Sequence, residues 1–172
     1  MVDLLLVVEA FLDGENIVHR RDQENAVCFD LPFGRTSYDC RVVAEDRKLI
    51  VGALWRGRVD TDDAERAQRL LTRLWNTGDS GGNTHFNPAR GKLMFASSVD
   101  VSCADVTVDT MASILETLLD PFNVRILAMQ MVLSGQMPET AAVDCYAEWN
   151  RNRIAALMRP LGEGGGADPS LN

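Results

Sequence analysis

The sequence predicts an α+β protein, an antiparallel sheet of about five strands packed with helices in the order α-βββ-α-ββ-α-α. Three observations carry this. Between positions 26 and 59 apolar residues alternate with the period of two of a strand; in 61–76 and again from 107 they recur at helical spacing; and the connections are short and rich in Gly, Pro, Asn and Asp. With 172 residues, 46% of them hydrophobic, the chain is long enough for one core burying roughly 68–70% of its unfolded surface. Residues 1–160 therefore read as one domain, and 161–172, glycine-rich and without periodicity, as a flexible tail.

The first helix follows Asp3, with Leu5, Val8 and Leu12 on one side. Ile17–Arg20 offers a short extended run. Ala26–Leu31 is a better strand, with Val27, Phe29 and Leu31 on one face and Cys28 and Asp30 on the other, ended by Pro32 and Gly34. Ser37–Ala44 sets Tyr38, Cys40 and Val42 against Asp39, Arg41 and Val43. The charged turn Glu45-Asp46-Arg47-Lys48 then leads into Leu49–Val59, where apolar residues on both faces, Leu49, Val51, Ala53 and Trp55 against Ile50, Gly52 and Leu54, predict a central strand covered on both sides.

Thr61 is placed as the N-cap of the middle helix, with Asp62 and Asp63 in its first turn, where the helix dipole favours negative charge. Ala64, Ala67, Leu70, Leu71, Leu74 and Trp75 form its apolar side; Arg66, Arg69 and Arg73 form a solvated stripe opposite. After Gly78-Asp79-Ser80-Gly81-Gly82, a hairpin runs from Thr84–Asn87 through Pro88-Ala89-Arg90-Gly91 to Lys92–Ser98. Thr107 caps a helix that Asp120-Pro121 is expected to kink or break, and a last helix starts at Pro138, with Ala142, Cys145, Tyr146, Trp149 and Leu157 at helical spacing.

A net charge of −8 argues against nucleic acid and anionic membranes, which require a clustered basic face. Leu4–Val8 is too short for a signal-peptide core and follows Asp3 in place of a basic residue, and no later run reaches the ~18 apolar residues of a membrane span. The expected location is the cytoplasm, where Cys28, Cys40, Cys103 and Cys145 stay reduced; they read as buried thiols. Whether Cys28 and Cys40 face each other depends on hairpin register: pairing 28 with 40 brings them together, and pairing 28 with 41 turns them to opposite faces.

No catalytic constellation stands out. The two histidines, His19 in His19-Arg20-Arg21-Asp22 and His85 beside Phe86, carry no local signature of a relay, and the paired acids sit in a helix start and a turn. The glycine groups do not lie between a strand and a helix, so neither is a phosphate loop, and metal-ligand spacing is absent; no cofactor and no metal are expected. The side chains best suited to gripping a partner are Trp55, Trp75 and Trp149, with Met94, Met129, Met131 and Met158 able to adapt to varied surfaces.

Ala10-Phe11-Leu12 before the first strands, Leu70-Leu71-Thr72-Arg73-Leu74-Trp75-Asn76 closing the middle helix, and Met94-Phe95-Ala96-Ser97-Ser98-Val99-Asp100 with Val106-Thr107 after it occur in an order and spacing that resembles the YbjN-like family. Through it the chain resembles the type III secretion chaperone fold, over roughly residues 4–134. The resemblance implies a chaperone-like or regulatory protein that binds other polypeptides and performs no chemistry. It also implies a homodimer, for which Leu70, Leu74 and Trp75 on the middle helix are the expected interface. The resulting expectation is a cytoplasmic, non-enzymatic protein-binding module. The alternatives are a domain sensing a small ligand between the sheet and the C-terminal helices and, third, an enzyme.

Overall fold

A computed structural model describes residues 3–22, 26–33, 36–77, 82–101 and 106–157. The expected tail at 161–172, most of the turn at 78–82, and Cys103 lie outside the described residues. The elements are α1 (Leu4–Gly14), β1 (His19–Arg21), β2 (Ala26–Phe33), β3 (Thr36–Glu45), β4 (Lys48–Trp55), α2 (Ala64–Trp75), β5 (Asn83–Asn87), β6 (Lys92–Asp100), α3 (Val108–Leu133) and α4 (Glu139–Leu157). The class and order are those expected, with one strand more: His19–Arg21 pairs with Val27–Phe29, so the sheet has six strands, in the order β1-β2-β3-β4-β6-β5, every neighbouring pair antiparallel.

All the helices lie on one side of this sheet. α1 packs on β2 and β3, α3 crosses β4 and β6 beside it, α2 flanks α3, and α4 lies along α2 and α3. The core is the inner face of the strands, with Val27, Phe29, Tyr38, Cys40, Val42, Leu49, Val51 and Phe95 meeting Leu5, Val8 and Leu12 from α1, Leu70 and Leu74 from α2, and Phe122, Ile126 and Met129 from α3. Phe122 stacks on Phe95 at 5.1 Å and tilts against Tyr38 at 5.5 Å. Beside these rings, Tyr38 Oη donates to Asn123 Oδ1 at 2.7 Å, and Thr36 Oγ1 lies 2.8 Å from both, so these three buried side chains hydrogen-bond one another.

Several expectations are corrected. Pro121 does not divide the helix; α3 runs unbroken through it. Proline has no N–H to offer the Thr117 carbonyl four residues back, and Arg153 of α4 supplies the missing donor, its Nη2 lying 2.9 Å from Thr117 O. Thr61 caps no α-helix but opens a single 3₁₀ turn, Thr61–Asp63, ahead of α2. Thr107 does cap α3, in a reciprocal box with Thr110. β4 stops at Trp55 rather than Val59: after one last bond to β3, from Arg56 N to Ser37 O, the chain turns at Gly57 beneath the indole, where a Cβ would lie 2.1 Å from the Trp55 ring. Cys145 is exposed on α4, whereas Cys40 is buried and Cys28 half-buried. The hairpin pairs Cys28 with Arg41 and Cys40 with Phe29, so the two thiols point to opposite faces.

β4 is interior to the sheet as expected, but its second face is not covered. Ile50, Gly52 and Leu54 are half-exposed, and none of the described helices lies over them.

Candidate functional site

The uncovered face is built by the alternation that buries the other side. Each strand that sends an apolar residue into the core sends the next one outward, and the register brings the outward residues into rows: Arg20, Cys28, Arg41, Gly52, Ala96 and Asn83 in one, Asp30, Asp39, Leu54, Met94 and His85 in the next, Val43, Ile50 and Ser98 in a third. In the middle, Val43, Ile50, Leu54 and Met94 surround Gly52 and Ala96, which leave a shallow floor. Met94 is 51% exposed, and a Cβ added at Gly52 would meet nothing closer than 3.8 Å.

Toward β1 the face becomes charged. Asp30 and Asp39 are directly opposite each other on β2 and β3, a repulsive pairing, and Arg56 bridges both with its Nη2 and Nε. The hydrogen bonds to Asp39 and Asp30 hold the Arg56 guanidinium above its ordinary pKa. Arg41 pairs with Asp22 at 3.1 Å. Asp30, Asp39, Arg41 and Arg56, with His19, Arg20 and Cys28, line a broad cleft of about 580 Å³. Cys40 sits beneath it, its thiol pushed up to about 12 by burial and then by the neighbouring Asp39 and Asp30, which leaves it protonated and unreactive at neutral pH.

A second cavity, of about 330 Å³, lies at the other end of the sheet between α2, β5 and α3, lined by Leu71, Trp75, Thr84, His85, Phe86 and Arg125 among others. Arg125 is the largest fully buried side chain and is placed under Trp75 and Tyr146, 5.1 and 5.5 Å from the two rings, while its Nη1 donates to Thr84 Oγ1 at 2.8 Å. Helical periodicity in α3 gives no hint of it, since a cation on the apolar side of a helix reads as an interruption.

The residues singled out in the sequence are scattered. Met129, Leu70 and Leu74 are 0% exposed and Trp55 is 5% exposed, all packed within the chain's own core. These four have little area left for another molecule to cover. Trp75 and Trp149 are half-buried, Trp75 over Arg125 and Trp149 between Tyr146 at 5.6 Å and Arg153 at 5.7 Å. Among the described residues no three His, Cys, Asp or Glu side chains gather as a metal site would require. His19 Nδ1 contacts the Ile17 carbonyl at 3.1 Å, and His85 stands exposed on the outer row of β5. The Arg69 and Arg73 side chains of the middle helix pair with Glu65 and Glu139. Ile50 and Leu54, which sequence reasoning assigned to a covered face, are the outward residues the structure adds to Met94.

No family model matches the chain, and no curated protein is similar to it in sequence. Solved structures match it in fold. An uncharacterised protein from Methanothermobacter thermautotrophicus superposes with a TM-score of 0.53 at 8% identity, over 74% of this chain and 96% of that one. The crystal structure of YbjN from E. coli, proposed as a transcription regulator, matches with a TM-score of 0.48 at 14% identity, over 77% of this chain and 93% of that one. At such identities the likeness is one of fold. The element order is the one expected from the sequence, a helix, a meander, a helix, a hairpin and then helices behind an open antiparallel sheet, and the Methanothermobacter protein shares that fold.

Proposed function

We propose that this chain is a non-enzymatic protein-binding module, chaperone-like or regulatory, that receives other polypeptides on the open face of its sheet. One observation carries the reading: an apolar patch of Val43, Ile50, Leu54 and Met94, contiguous across three interior strands, has no covering helix among the described residues, and such a patch on a folded domain marks an interaction surface. The charged rows beside it, with Arg20, Arg41 and the Asp30–Arg56–Asp39 bridge, would serve as the polar rim that fixes orientation. Cytoplasmic residence and a homodimer belong to the same reading; with Leu70 and Leu74 enclosed, a second copy would use Trp75 and the outer stripe of α2.

The test is site-specific photo-cross-linking in the native host, with the reactive side chain at position 94 and, as control, at Asn152 on exposed α4. Discrete adducts from position 94 that vanish in a Leu54→Ser variant are expected. Equal labelling from both positions would sink the reading. A mass by light scattering equal to one chain would remove the dimer.

A second reading, a small-ligand sensor, is favoured by the cavity beneath β5, where Trp75, Phe86 and the guanidinium of Arg125 bring aromatic walls and a cation to one place. It predicts a rise in melting temperature with some metabolite that is lost in Trp75→Ala and unaffected by Leu54→Ser.

A further inference from the structure

A third surface lies on the helical side. α3 carries Val108, Ala112, Leu115 and Leu119 along one line, at the spacing that places them over one another on a helix. At the level of Ala112 to Leu119 this line faces Phe11 and Ile17 at the end of α1 and Leu31 and Pro32 at the end of β2, and together they enclose a groove of about 490 Å³. The lining is apolar except for two side chains, Glu15 and Glu116, both exposed. No cation lines it among the described residues. On α3 the acids continue beside the apolar line: Asp109, Glu116 and Asp120 recur at seven and four residues, and Asp120 is held above the ordinary carboxylate range by burial and then by Glu116. The groove is thus a strip of apolar surface with a negative border, on a chain whose net charge is −8.

We infer that this groove docks a basic amphipathic helix of a partner protein, its aliphatic side chains seated among the half-buried Phe11, Ile17, Leu31 and Ala112, over a floor closed by the buried Leu115 and Leu119, and its Lys or Arg residues on Glu15 and Glu116. The occupant follows from complementarity. An apolar strip selects an apolar face, the two walls contributed by α1 and α3 fit the helix-in-groove mode, and the carboxylates select positive flanks while rejecting acidic ones. The surface is separate from the open sheet face, so either stands if the other fails.

The probe is a synthetic amphipathic peptide of about 14 leucines and lysines carrying a fluorophore, beside the same peptide with glutamate for lysine, titrated into the full chain and followed by anisotropy and by amide shifts in NMR. The lysine peptide is expected to bind saturably and the glutamate peptide not at all. The double variant Glu15→Lys, Glu116→Lys should weaken binding about tenfold at low salt, with the difference shrinking as salt screens the rim. Ala112→Trp, which fills the groove without changing charge, should weaken it comparably, whereas Met94→Ser on the open face should leave it unchanged. Melting curves confirm that each variant is folded. Absence of saturable binding, undiminished binding to both groove variants, or shifts centred on Leu54 and Met94 would overturn the inference.

Discussion

Replacing Arg153 with methionine tests how a proline is carried inside a 26-residue helix. The Thr117 carbonyl cannot receive an N–H from Pro121, and the Arg153 guanidinium donates to it from α4 at 2.9 Å. A hydrogen bond with one charged partner contributes about 1.5–3 kcal/mol, and the partial exposure of this one places it at the lower end. Methionine keeps an unbranched aliphatic chain but removes the guanidinium that lies over Trp149 and donates to the carbonyl, so Arg153→Met should cost about 1.5–2 kcal/mol. For a chain of this size that lowers the melting temperature by about 3–8 °C. The decisive measurement is a double-mutant cycle in urea. Pro121→Ala returns an N–H to position 121 and closes the ordinary helical bond, which makes Arg153 redundant; in that background Arg153→Met should cost only about 0.5 kcal/mol, a coupling of about 1–1.5 kcal/mol. Strictly additive costs would refute the assignment, since they would mean that Arg153 stabilises α4 by some route other than the carbonyl that the proline leaves open.

Other expected outcomes follow from the same geometry. Gly91 has φ +61° and a Cβ there would lie 2.1 Å from the Val59 carbonyl, whereas Gly135, at φ +72°, faces open space; Gly91→Ala should destabilise by several kcal/mol and Gly135→Ala by only about 1–2 kcal/mol in urea unfolding, and equal costs would contradict the packing of the hairpin turn on the segment after β4. Burial pushes the Tyr38 phenol from 10.0 up to about 12, the hydrogen bond with Thr36 opposing it. A group whose folded pKa is raised contributes fully below its unfolded value and loses that contribution as pH climbs through the folded one. Stability should therefore fall by on the order of 2 kcal/mol between pH 10 and 12, and Tyr38→Phe should flatten that part of the profile. In thiol labelling at pH 8 mapped by mass spectrometry, Cys145 should react in the native protein and Cys40 only on unfolding; early labelling of Cys40 would contradict its place under β3.

The alternation of Tyr38, Cys40 and Val42, the three-and-four spacing of Ala64 to Leu74, and the cap at Thr107 each report a local rule, and local rules operate between residues a few positions apart. They settle which stretches become strands and helices, which side of each is apolar, and therefore the class and the element order. They do not settle what lies over the apolar side. Ile50 and Leu54 look as core-like in a row of letters as Leu49 and Val51 do, and Met129 looks as available as Met94. Only the stacking of all the helices on one face of the sheet separates them, because exposure is a property of the layer above a residue. The same holds for Pro121, whose cost depends on a donor 32 positions along the chain, and for Arg125, whose charge is tolerated because two aromatic rings and a threonine from other elements close around it. The antiparallel α+β framework is thus legible in local patterns; the open face, the acid-rimmed groove and the cavity under β5 arise where segments distant in the chain meet, and they come from long-range packing.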